Sequence, residues 1–133
     1  MNDKIEMLGQ YLKANIAPIL ISNIPSSLFN TIAVIIPSNI SKEDLYGKIE
    51  NNKFEYPKWY NELSSNSKKN MIIVDNLSLI PIDEQLKFHE LLKYRKIGDL
   101  KIKDNIMIMV ISDKVSKETI NKDIYSLLVH IED

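Results

Sequence analysis

The stretch Met71-Ile72-Ile73-Val74-Asp75-Asn76 is four bulky apolar residues in a row, closed by two turn-forming ones. A half-exposed strand would alternate apolar and polar residues, so a short continuous run reads as a strand buried on both faces. Asn105 to Ser112 (NIMIMVIS) repeats the pattern. Ala17 to Ser22 (APILIS), Val34-Ile35-Ile36 before Pro37, and Tyr125 to Ile131 (YSLLVHI) do the same. Between these runs the apolar spacing turns helical. Residues 3 to 15 carry Ile5, Leu8 and Leu12 with Met7 and Tyr11, the stripe of an amphipathic helix. Pro25-Ser26-Ser27 reads as a helix start with proline in the first turn, running about two turns through Leu28, Phe29 and Ile32. Ser116 to Asn121 reads as a helical turn. Buried strands separated by helices predict an α/β fold: a three-layer sandwich around a mostly parallel five-stranded sheet. Ligands of such sheets lie outside the C-terminal strand ends, here Asn23 to Phe29, Asp75-Asn76 and Ser112 to Lys114.

Pro81 to Lys96 carries the strongest helix signals. Asp83 and Glu84 fall in its first turn and Lys93, Arg95 and Lys96 in its last, matching the macrodipole, with Gly98 as the stop. Ile82, Leu86, Phe88, Leu91 and Leu92 form the predicted packing stripe. Residues 38 to 70 are polar, with Trp59, Tyr60 and Leu63 as the apolar face of one short helix, and read as the mobile part of the chain.

Composition narrows the function classes. The chain has 133 residues, 17 basic and 18 acidic, with no cysteine. That suits a single domain over residues 1–133, large enough to build a core without disulfides or a structural metal. No basic cluster exceeds Lys68-Lys69, so nucleic-acid binding is not expected. The apolar runs fall far short of the ~18 residues a spanning helix needs, so no membrane role is expected. MNDKIEMLGQ lacks the form of a signal peptide, which predicts a cytoplasmic location. Arg95 is the sole arginine among 22 isoleucines, 16 lysines and 13 asparagines. A bidentate guanidinium for phosphate is therefore scarce.

The positions at the strand ends carry a resemblance. The run Met71 to Asn76, followed by Pro81, Gln85, Leu91, Leu92 and Arg95, then Gly98-Asp99-Leu100 and NIMIMVISD, resembles the second half of a MoxR-like AAA+ ATPase core. Asp44-Leu45-Tyr46-Gly47 and Pro57-Lys58-Trp59 are similar to that family's Asp-Leu-x-Gly and Pro-x-Trp segments. The resemblance spans about residues 5 to 131 and implies a P-loop NTPase fold with a short hairpin before the sensor strand. That family's helical lid would follow the fifth strand, where this sequence ends, so the domain is expected to lack it.

The resemblance also shows which residues depart from the pattern. The phosphate-loop stretch is Asn23 to Asn30, with no glycine, Phe29 in place of the lysine and Asn30 in place of the Ser or Thr. Asp75 keeps the metal-side carboxylate, but Asn76 replaces the glutamate that would act as general base. Lys114 stands near the place of the sensor Asn, and Leu127-Leu128-Val129-His130 lacks the arginine finger. These vestigial positions imply no cofactor, no metal and no catalytic residue. The expected role is a catalytically inactive protein-interaction or scaffold module, whose partner is an intact AAA+ ATPase or a second copy of the chain. The alternative is a divergent nucleotide-binding ATPase subunit whose site a partner completes.

Other reactive residue types have plainer readings. His89 and His130 lack partners at metal-ligand spacing and read as a helix-surface and a sheet-packing histidine. N-capping accounts for Ser26 and Ser27. Lys68-Lys69 reads as solvated. Phe54, Tyr56, Trp59 and Tyr60 are the candidate interaction residues, Trp59 serving as the anchor and Phe54 and Tyr56 as the docking side chains.

Overall fold

The computed structural model describes residues 2–15, 18–66 and 68–131. Ala17, the predicted start of the first strand, and Ser67 of the SSNSKKN stretch lie outside them. In chain order the elements begin with α1 (Asn2–Lys13), β1 (Ile19–Ser22) and β2 (Ala33–Pro37), with a 3₁₀ turn at Ser26–Phe29 between the two strands. Then come α2 (Lys42–Tyr46), β3 (Lys48–Glu50), β4 (Lys53–Glu55), α3 (Lys58–Ser65) and β5 (Met71–Asp75). The 3₁₀ segments Leu77–Leu79 and Glu84–Phe88 lead to α4 (His89–Tyr94), β6 (Lys96–Ile97) and β7 (Leu100–Lys101). The described chain closes with β8 (Met107–Ser112), α5 (Lys122–Tyr125) and β9 (Val129–Ile131).

Five strands form one sheet in the order β2-β5-β8-β1-β9, every neighbouring pair parallel. The continuous apolar runs are explained by burial on both sides. Even-numbered residues such as Val34, Ile72, Val74 and Ile108 join the core under α2 to α5, which contribute Leu45, Trp59, Leu91 and Ile124. Odd-numbered ones such as Ile21, Met71, Ile73 and Met109 join a second core with Leu8, Tyr11 and Leu12 of α1. The layers are therefore unequal, one face carrying a single helix and the other nearly everything else.

Four sequence expectations are corrected. Pro81 to Lys96 is not one helix. Its charges suited a macrodipole, but the segment winds as 3₁₀ over Glu84–Phe88 and as α only over His89–Tyr94. Three residues per turn align positions i and i+3, which puts Gln85, Phe88 and Leu91 on the inward line. Ile82 and Leu86, placed in the predicted stripe, remain 40% and 43% exposed. The helix ends at Arg95, which is itself left-handed at φ 57°, and Gly98 instead turns the β6–β7 hairpin.

Ser116 to Asn121 forms turns, and the helix follows it. Asn121 Oδ1 accepts from the Asp123 N–H at 2.9 Å and caps α5, so the last strand shrinks from the predicted Tyr125 start to three residues. The two-turn helix after Pro25 is a single 3₁₀ turn. The polar stretch holds α2 and the hairpin β3–β4 besides its predicted helix. Asn51 and Asn52 both adopt positive φ (53° and 64°), the geometry of a tight two-residue hairpin turn, and Ile49 pairs with Phe54 across it.

Candidate functional site

The three predicted strand ends do come together. Ser26 Oγ donates to Asp75 Oδ2 at 2.9 Å, bringing the turn after β1 against the end of β5. Asn76 is left-handed at φ 64° and faces the end of β8. Its Nδ2 donates to Asp113 Oδ2 at 3.0 Å while its Oδ1 accepts from the Asp113 N–H at 3.1 Å. An amide can donate and accept at once, whereas a glutamate here would set one carboxylate against another. Ser112 Oγ accepts from the Ser78 N–H at 3.0 Å, and Ser38 Oγ donates to the Asn76 carbonyl at 2.7 Å. The Lys114 side chain is exposed, and its main chain joins this network through Ser78 and Ser112.

A triphosphate needs free backbone donors at this edge, and four of those in the segment after β1 are engaged. The N–H of Asn23 bonds to the Ser112 carbonyl, and those of Leu28, Asn30 and Ile32 bond to the carbonyls of Pro25, Ser27 and Phe29. Pro25 has no N–H to give. Phe29, in the lysine's place, packs against the core under α1, and Asn30 is exposed. Neither Ser26 nor Ser27 caps the turn; the hydroxyl of Ser26 goes to Asp75 instead. Phe29 and Asn30 supply neither the ammonium nor the hydroxyl that a phosphate chain with its magnesium ion takes from such a loop. Among the described residues no group of three or more His, Asp or Glu side chains could hold a metal.

Arg95 is committed to the fold. Its guanidinium donates to the carbonyls of Lys103 at 2.7 Å and Ile106 at 2.6 Å, pinning the loop before β8. His130, on β9, packs edge-on against Tyr125, with Nε2 2.9 Å from the Tyr125 carbonyl oxygen. Lys69, expected in a solvated loop, instead donates to the carbonyls of Asn30 and Ala33 and ties that loop to the outer side of β2.

Trp59 and Tyr60 lie on the even face of the same sheet, in and against the core under α2 to α5. Trp59 is only 5% exposed, and its Nε1–H donates to the Leu45 carbonyl at 2.9 Å, so the Pro-Lys-Trp and Asp-Leu-Tyr-Gly segments are physically joined. Tyr60 is half-buried, edge-on to Trp59 and stacked on Tyr56 at 5.5 Å. Phe54 and Tyr56 stand 48% and 53% exposed with their rings in edge contact at 5.0 Å. Beside them runs a groove of about 440 Å³, floored by residues 34–37 of β2 with Ile40 and Trp59 and rimmed by Glu43, Asp44, Lys48, Glu55, Lys58 and Glu62. Sequence reading missed this groove, because it is built by the hairpin β3–β4. The Asn51-Asn52 pair was the available signal.

Gly47 sets the angle of that hairpin. Its φ is 90°, and a Cβ there would lie 2.6 Å from both the Glu55 carbonyl oxygen and the Phe54 ring. Gly47→Ala is expected to cost about 1–3 kcal/mol. It should also swing Phe54 and Tyr56 off the groove, measurable as a lowered melting temperature with a changed near-ultraviolet tyrosine signal. A melting temperature within 1 °C of the parent would show that the hairpin is not held there.

No protein-family model matches the chain, and no curated protein matches it. Among solved structures, the chain is similar to NtrX from Brucella abortus, with a TM-score of 0.57 and 16% identity over 97% of this chain and 36% of that one. It is also similar to a candidate ATPase from Cytophaga hutchinsonii, with a TM-score of 0.55 and 13% identity over 86% of this chain and 40% of the other. The chain thus spans well under half the length of either protein. Among the described residues no helix is long and apolar enough to cross a membrane. At these identities the likeness establishes the fold alone, a P-loop NTPase-like α/β domain with a five-stranded parallel sheet.

Proposed function

We propose that this chain is a nucleotide-free relative of the MoxR-like AAA+ core that works as a protein-interaction module. One observation carries the reading. At the edge of the sheet where a nucleotide would sit, Asp75 is held by Ser26, and the N–H groups of Asn23, Leu28, Asn30 and Ile32 are given to carbonyls. Attack on a phosphate also requires a base to take a proton from water, and Asn76 offers an amide engaged on both sides by Asp113. The exposed aromatic pair Phe54 and Tyr56 supplies what docking uses, large apolar area at low entropic cost. The partner in this reading is a protein, either an intact AAA+ ATPase or a second copy of the chain.

Titration calorimetry with magnesium-ATP tests the reading, and a flat isotherm is expected. A dissociation constant below ~100 μM, about −5.5 kcal/mol, would overturn it in favour of an ATPase subunit whose site a partner completes.

A further inference from the structure

β2 is an edge strand, and its outward carbonyls at the two ends are blocked. Ser38 N–H bonds to the Asp75 carbonyl, and Asp75 is in register with Pro37, which fixes the phase of the β2–β5 ladder. Even-numbered backbone groups of β2 therefore face β5, and odd-numbered ones face outward. Of the outward carbonyls, that of Ala33 accepts from Lys69 Nζ at 3.1 Å and that of Pro37 from the Ile40 N–H at 3.0 Å. Proline contributes no outward donor. Ile35 keeps both its N–H and its C=O without a partner among the described residues.

The groove lies on this opening. Four consecutive residues, 34 to 37, line it, so it follows the edge of the strand rather than one face of the sheet. Its charge is lopsided. Glu43, Asp44, Glu55 and Glu62 stand on the rim against Lys48 and Lys58, with Glu62 paired to Lys69 at 3.9 Å, and Lys48 is shared by Glu50 at 3.4 Å, Glu43 at 3.7 Å and Glu55 at 3.9 Å. Glu50, with Glu55 and Glu43, holds the pKa of Lys48 above its ordinary value, so that ammonium stays charged and still leaves negative charge in excess. At one end the exposed faces of Tyr56 and Phe54 offer π surface to a cation.

We propose that the edge of β2 at Ile35 takes a short, extended, lysine-bearing segment of a partner protein as an added strand, its cations meeting Glu43, Asp44 and Glu55. The proposal rests on the interaction-module reading and names the partner's chemistry. Ile35 supplies the two backbone hydrogen bonds that one opposing residue can exchange, which sets register, and the acidic rim selects charge. The blocked carbonyls on either side keep the added strand short, and they also keep this edge from pairing with other sheets at large.

The test is fluorescence polarisation of the whole chain with a labelled heptapeptide of alternating lysine and valine, Lys at both ends. Saturable binding with a dissociation constant below ~200 μM is expected, weakening at least about fivefold in Glu43→Gln/Glu55→Gln and as salt rises from 50 to 300 mM. Methylating the central backbone nitrogen of the peptide should weaken it about tenfold, since the donor to the Ile35 carbonyl is gone. Hydrogen exchange at the Ile35 amide should slow on binding. No binding, equal binding of the glutamate–valine peptide, or indifference to backbone methylation each overturns the proposal. The magnesium-ATP titration on the same preparation reads the underlying role separately: peptide failure with a flat isotherm removes the added strand and leaves the module.

Discussion

Gln85→Ala is expected to lower the unfolding free energy by about 3–5 kcal/mol, among the largest losses available from any single polar residue of this chain. Gln85 is fully buried, and its Nε2 donates to the carbonyls of Leu77 and Ile80 at 3.2 Å each and of Thr119 at 2.9 Å. Its Oε1 accepts from the Asn121 N–H at 2.7 Å. One amide thus joins the segment after β5, the 3₁₀ turn and the start of α5. Truncation leaves the Ile80 and Thr119 carbonyls and the Asn121 N–H without this partner, while the Leu77 carbonyl keeps the Ile80 N–H, at about 1–3 kcal/mol for each that finds no water. The melting temperature should fall by more than about 10 °C. Gln85→Glu provides a second readout. A buried carboxylate facing three carbonyls has its pKa pushed above the free value near 4.3, so stability relative to the parent is greatest below that value and is lost as pH rises. A Gln85→Glu variant whose deficit is the same at pH 5 and pH 8 would show that the side chain is not enclosed as described.

Trp59→Ala should cost a similar amount, about 3–5 kcal/mol, for a different reason. The indole fills the space between α2, α3 and the even face of the sheet, and its removal leaves a cavity that short helices cannot close. Trp59→Phe keeps most of the buried area and loses the bond to Leu45, so about 1–2 kcal/mol is expected. Urea unfolding of both variants separates the two contributions. Phe54→Ala, by contrast, should leave the melting temperature within a few degrees, since that ring is half in solvent. If Trp59→Ala unfolds no more easily than Phe54→Ala, the indole is not an anchor.

The fold was legible because parallel strands covered on both faces leave unbroken apolar runs, and Met71–Val74 and Ile106–Ile111 are such runs. Clustering of the strand ends followed from the fold class. What the sequence hid was decided by single polar side chains. Gln85 lay outside the predicted apolar stripe, yet it is fully buried while Ile82 and Leu86 of that stripe face solvent. The hairpin β3–β4 was obscure because its strands are three residues each and wholly exposed, too short for the alternation in Lys48-Ile49-Glu50 and Lys53-Phe54-Glu55 to stand out. Asn121 moved a helix by one turn through a cap bond that no apolar pattern records.

The strand order has a consequence for the nascent chain. Ile19 lies beside Met109 and Val129, sequence separations of about 90 and 110 residues, while β2, β5 and β8 are linked by spans of under 40. At about 5–20 residues per second, a ribosome takes roughly 5–18 s to make the first partner of β1 after β1 itself. For that interval Ile19-Leu20-Ile21 has no edge to join, flanked by Pro18 and Asn23, residues that discourage intermolecular β pairing. The β2-β5-β8 part of the sheet can zip early, and the gap beside β8 stays open until β1 is recruited back across about 90 residues. Birth order and folding order are thus opposed: the first strand synthesised is among the last to be sheltered.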